Sequence, residues 1–129
     1  MPTRLDLLTI MVNDMQRMLA FYRDVLGFAV KNNRGGWVSL ENDGVRLALW
    51  ERKGLAQQFP QITVPPGPNG TFVLAITFAT PSLLDEAFAR IVAGGATALA
   101  APADAPQWDM RSAWIADPEG NLFELAWHA

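Results

Sequence analysis

Arg46 and Glu124 stand on two stretches whose alternation sets them among small and aromatic side chains. The segment Val45-Arg46-Leu47-Ala48-Leu49-Trp50 can be laid on Phe123-Glu124-Leu125-Ala126-Trp127-His128. Side chains alternate along a strand, so Val45, Leu47 and Leu49, and in the second copy Phe123, Leu125 and Trp127, are expected to face a core. Arg46, Ala48 and Trp50, with their counterparts Glu124, Ala126 and His128, then face the other way. A face of small, aromatic and charged residues is a candidate pocket wall. On it Glu124 is a candidate general base, and a guanidinium such as that of Arg46 can stabilise a developing oxyanion.

Five tryptophans, Trp37, Trp50, Trp108, Trp114 and Trp127, all fall on expected strands. Large aromatic walls suit planar ligands and hold cations over their faces, although any one of them serves equally as core or interface. Trp50 has the parity of the candidate wall and Trp127 that of the core. His128, the only histidine, is the side-chain type that exchanges protons near neutral pH. It lies one residue from the C-terminus, where fraying is common, so a peripheral role is expected.

What the sequence lacks removes other chemistry. There is no cysteine, hence no disulfide, no thiolate nucleophile and no thiolate metal ligand. No GxGxxG, phosphate-binding loop, GxSxG or HExxH occurs. The formal net charge is −3, and the ten basic residues form no run longer than two, which argues against nucleic acid as a partner. No apolar stretch approaches the roughly 20 residues of a membrane span. The N-terminus lacks the basic and apolar regions of a secretory signal, so a cytoplasmic location is expected.

The elements that would carry these residues repeat. The run Leu5–Val12 predicts a strand, Asn13 or Asp14 a cap, and Met15–Leu26 a helix that Gly27 stops. Strands are expected at Phe28–Asn32, Trp37–Glu41 and Val45–Glu51, with Asn42-Asp43-Gly44 as a hairpin turn. Periodicity lapses over Arg52–Gly70, where Pro60, Pro65, Pro66 and Pro68 cluster, and this reads as a linker. The pattern then returns: strand Thr71–Ala79, helix Ser82–Ala93, a Gly94-Gly95 stop, and strands Ala96–Ala100, Trp108–Ala116 and Asn121–His128. DPEG at Asp117–Gly120 forms the last turn, in which Pro118 fixes φ and Gly120 permits the reversal.

Two motifs, Val12-Asn13-Asp14 running on to Ala20-Phe21-Tyr22-Arg23-Asp24-Val25-Leu26-Gly27-Phe28, and Asp117-Pro118-Glu119-Gly120-Asn121-Leu122-Phe123-Glu124-Leu125, make the chain resemble the vicinal oxygen chelate superfamily. That superfamily holds glyoxalase I, ring-cleaving dioxygenases and the fosfomycin- and bleomycin-resistance proteins, and the resemblance covers nearly the whole chain. It implies an α+β fold of two tandem βαβββ modules curled as a mixed sheet around a shared pocket, usually in a homodimer. The expected organisation is one domain over residues 1–129, with module 1 at about 4–51, a linker at 52–70 and module 2 at about 71–129.

In metal-dependent relatives the ligands are His and Glu residues from the first and last strands of each module. The resemblance carries these onto Leu7, Arg46, Val73 and Glu124, of which only Glu124 keeps the ligand type. The expectation is therefore no metal and no cofactor, with Arg46 as a replacement cation for Glu124 or, alternatively, turned to solvent. By the same resemblance Trp108 and Met110 line the pocket mouth. Arg111 matches a Trp-Gly-x-Arg stretch in which Asp109 replaces Gly, and either meets an acidic ligand or pairs with Asp117 or another carboxylate at the turn. The ligand-binding candidates are Arg46, Trp50, Trp108, Met110, Arg111, Trp114 and Glu124.

Three functions stay open: a metal-free protein that sequesters a small organic molecule, a lyase, isomerase or dioxygenase-like enzyme using Glu124 as base or metal ligand, and an interaction module with a filled pocket.

Overall fold

Asp14 turns the chain from its first strand into its first helix. The computed structural model describes residues 6–62, Gly67 and 73–129. Strand β1 (Leu7–Val12) ends at Asn13, and the Asp14 carboxylate accepts the Arg17 N–H at 3.1 Å to cap α1 (Met15–Ala20). Where the spacing predicts one helix to Leu26, the chain widens into a π-helical turn, Phe21–Val25. The Leu26 N–H reaches the Phe21 carbonyl at 3.0 Å. The wider turn shifts the helical phase, so that Phe21 and Tyr22 are both buried in addition to Met18 and Leu19. Gly27, at φ +80°, ends it in the left-handed conformation that glycine tolerates.

Strands β2 (Ala29–Asn33), β3 (Trp37–Glu41) and β4 (Arg46–Glu51) complete a four-stranded sheet in the order β1-β4-β3-β2. β1 and β4 run parallel and the other pairs antiparallel. Asn42 holds the β3–β4 turn, accepting from the Gly44 N–H at 2.7 Å and donating to the Val45 carbonyl at 2.9 Å. This corrects the place of Val45: it belongs to the turn and is 64% exposed, outside the core. A second correction follows, because the expected linker opens with a helix, α2 (Arg52–Gln58), which continues directly from β4.

The second half repeats the order. β5 (Leu74–Thr77) leads to α3 (Pro81–Ala93), capped by the Thr80 hydroxyl with Pro81 in the first turn, where its missing N–H costs nothing. β6 (Thr97–Ala105), β7 (Met110–Ala116) and β8 (Leu122–His128) form a sheet in the order β5-β8-β7-β6. β6 runs five residues beyond its expected end, with register breaks between Ala98 and Ala100 and between Ala100 and Ala103. A single 3-10 turn, Pro106–Trp108, separates it from β7, so Trp108 lies on a turn and not on a strand. Asp109 follows in the left-handed region at φ 51°, which Asp adopts more readily than most residues and where the matching family stretch has Gly.

The chain divides into two compact units, Met1–Pro66 and Gly67–Ala129, each holding one four-stranded mixed sheet. Leu5, Thr71 and Phe72 of the expected opening strands, and Pro65, Pro66, Pro68 and Gly70 of the expected linker, lie outside the described residues.

Each sheet has one face committed to its core. In the first, Ile10 and Val12 of β1, Val38 and Leu40 of β3, and Leu47 and Leu49 of β4 are all at most 5% exposed. In the second, Ala113 and Ile115 of β7 and Phe123 and Leu125 of β8 are buried, as are Leu84, Ala87 and Ile91 on α3. Burying a Leu or Ile side chain contributes roughly 1.5–3 kcal/mol, so these faces anchor the sheets and leave the alternate residues to other work.

Candidate functional site

The alternate residues are the ones the sequence singled out. Directly paired residues share a sheet face, and the first sheet pairs Leu7 with Arg46, Thr9 with Ala48 and Met11 with Trp50. β3 adds Ser39 opposite Ala48 and Trp37 opposite Trp50. The face thus sets buried Ser39 and Ala48 among half-buried Leu7, Thr9, Met11, Trp37 and Trp50, with one guanidinium at its end. Thr9, Met11, Trp37 and Ser39 escaped the sequence reading as site residues, although the alternation of β1 and β3 carried the signal. The first turn of α2 leans on this face: a β-carbon at Gly54 would lie 3.7 Å from the Trp50 indole nitrogen.

Arg46 has a carboxylate partner inside its own unit. Its guanidinium donates to the Asp6 carboxylate at 2.5 Å, a partner the sequence did not suggest. A shallow cleft of about 440 Å³ lies beside it, lined by Ala29, Glu41, Asn42, Asp43 and Arg46.

The second sheet places Glu124 opposite Ala75 of β5 and Trp114 of β7. Ser112 and Met110 continue this face on β7, and Ala126 and His128 on β8, which puts Met110, Trp114 and Glu124 together. The last strand does not fray: His128 is exposed but remains in β8, and the Ala129 N–H donates to the Asp109 carbonyl at 2.9 Å. Glu124 is half-buried, and its carboxylate takes part in no hydrogen bond or ion pair among the described residues.

Two further candidates, Arg111 and Trp108, lie elsewhere in the second unit. Arg111 has the opposite parity, on the face that α3 covers, where it makes two hydrogen bonds to Asp85 of α3 at 2.9 and 3.1 Å and one to Asp104 of β6 at 3.0 Å. Hydrogen bonds to Asp85, then to Asp104, raise its pKa above the ordinary arginine value and fix it as a structural clamp. Asp117 is not its partner. Instead Asp117, buried in the last turn, accepts the Glu119 and Asn121 N–H groups at 2.9 Å each and the Asn121 amide at 2.8 Å. Trp108 is 70% exposed on its 3-10 turn, ahead of β7.

Leu7 pairs with Arg46 in the first sheet as Ala75 pairs with Glu124 in the second; Val73, the position the resemblance gives, precedes β5 and is 44% exposed. The repeat is in step elsewhere too, since Ser39 faces Ala48 as Ser112 faces Ala126.

A family model described as "Glyoxalase/Bleomycin resistance protein/Dioxygenase superfamily" matches residues 4–125. The chain belongs to this superfamily. Among curated proteins it is 25% identical, over 125 residues, to a virulence protein of Salmonella typhimurium, covering 95% of this chain and 83% of that one. Among solved structures it matches a glyoxalase-related enzyme from Fulvimarina pelagi with a TM-score of 0.86 and 24% identity, over 97% of this chain and 88% of that one. A genomically encoded fosfomycin resistance protein from Listeria monocytogenes shares the fold at a TM-score of 0.75 and 19% identity, over 100% and 96% of the two chains. The two tandem α+β modules are those of this superfamily.

The donor set does not fit the metal of its metal-dependent members. A guanidinium is a cation with no lone pair to offer, Leu7 and Val73 offer only hydrocarbon, and Glu124 is one carboxylate where several donors must converge. Among the described residues no three His, Cys, Asp or Glu side chains come together as a metal would require. No helix among them is long and apolar enough to cross a membrane.

Proposed function

We propose that this protein binds a small organic molecule on the sheet face that carries Trp114 and Glu124, without a metal ion. The observation that carries the reading is the strand register. The resemblance carries the metal positions of the superfamily's metal-dependent members onto Leu7, Arg46, Val73 and Glu124, of which only Glu124 is a donor, while the register sets Glu124 opposite Trp114, a half-buried indole suited to planar groups. Surfaces of this kind, mostly apolar with a few placed polar groups, are what small-molecule sites require.

The test is paired. Titration calorimetry with Mn²⁺, Ni²⁺ and Zn²⁺ is expected to show no stoichiometric binding, whereas thermal-shift screening with bicyclic aromatic compounds is expected to find stabilising ligands. A compound at a hundred times its Kd adds about 2.7 kcal/mol to stability. Tight metal binding, or a screen without a single stabilising compound, overturns the reading. The unpartnered Glu124 carboxylate also suits a general base, and the enzyme reading replaces the binding one if a found ligand is consumed and Glu124→Gln abolishes its turnover.

A further inference from the structure

The two units are unlike in charge. Residues 1–66 hold eight basic and six acidic side chains, whereas residues 67–129 hold two basic and seven acidic ones, for net formal charges of +2 and −5. Neither basic residue of the second unit serves Glu124. Arg90 is on α3, and Arg111 is clamped by Asp85 and Asp104 on the sheet face opposite that of Glu124. Arg46, the cation that the sequence offers for it, is held by Asp6 within the first unit. Glu124 is left half-buried on an apolar face, with no partner among the described residues and with Trp114 directly across from it on β7.

A carboxylate held on an apolar surface without a counter-ion loses hydration and gains nothing in return, an arrangement that a bound cation reverses. The donor set rules out a metal as that cation. An organic ammonium needs only what is present: one carboxylate to accept its N–H groups, and an aromatic face within about 6 Å of the charge. Residues directly opposite on antiparallel strands have β-carbons about 4.5–5.5 Å apart, so one ammonium group can meet the Glu124 carboxylate and the Trp114 indole together.

We infer that the small molecule bound by this protein is an organic ammonium cation, received by Glu124 and Trp114 on the face of the second sheet away from α3. The inference rests on the binding reading above and adds to it the chemical class of the ligand.

The experiment compares three probes of similar size, naphthylmethylammonium, neutral naphthylmethanol and anionic naphthoate, by calorimetry on the full chain near neutral pH. In the wild type the ammonium is expected to bind about tenfold to a hundredfold more tightly than the alcohol, the range of a charge-assisted hydrogen bond, and naphthoate more weakly than either. In Glu124→Gln, checked for unchanged circular dichroism, the ammonium and the alcohol are expected to bind alike. Equal binding of ammonium and alcohol to the wild type overturns the ammonium assignment and leaves the binding reading standing. A preference that survives in folded Glu124→Gln overturns the role of Glu124. Failure of all three probes to bind overturns the assignment together with the reading of this face as a ligand site. The wild-type comparison is decisive even where the variant does not fold.

Discussion

Two carboxylates only seven residues apart have opposite fates, and the difference is local. Asp117 is buried inside its own turn and satisfied there by three donors, whereas Glu124 stands on a strand face with none. Both were visible as residues in the sequence, but only the turn geometry of Pro118 and Gly120 was legible around Asp117. The donors it gathers come from backbone three-dimensionally close only once the reversal has formed. Asp117→Asn keeps the shape but turns an amide nitrogen toward the Asn121 amide, donor against donor. The expected cost is about 1–3 kcal/mol of stability, measured by urea unfolding, with ligand binding by the folded fraction unchanged. Had Asp117 been a ligand contact, binding would fall ahead of stability.

Alternation is a two-residue signal that survives in short segments, and it made β3, β4 and β8 legible. β3 occurs where it was expected, and β4 and β8 are shorter by one residue each at their first ends. α2 was hidden by its brevity: seven residues with a glycine and two glutamines show no apolar stripe. Moving a strand by two residues keeps every side chain on its face, so parity alone does not fix the register and hydrogen-bonded pairing does. Gly54 of α2 gives a test at this scale. Its φ is not positive, and an added β-carbon meets the Trp50 indole at ordinary contact distance. Gly54→Ala is expected to stabilise the protein by roughly 0.4–1 kcal/mol, chiefly by restricting the unfolded chain, as read by thermal unfolding. A loss of stability would mean that α2 lacks room beside Trp50.

At the scale of the molecule, duplication explains why so much of the architecture could be read at once. Two βαβββ halves in one chain announce themselves by repetition, and the family model spans both. What repetition does not reveal is which charges each half neutralises for itself, because those pairings, Arg46 with Asp6 and Arg111 with Asp85 and Asp104, exist only in the fold. Unfolding should also be indifferent to chelation. Adding EDTA is expected to leave the unfolding temperature unchanged, whereas a resident structural ion would make it fall.

β6 ends its sheet as a nine-residue strand of mostly small apolar side chains, with Leu99 exposed. Such a margin would ordinarily invite a stray chain to add itself, the first step toward fibrils. Here the two breaks in register and Pro102, which has no N–H to offer, interrupt the ladder a newcomer would need. The irregularity that makes β6 hard to delimit from sequence also leaves that edge a poor template for a further strand.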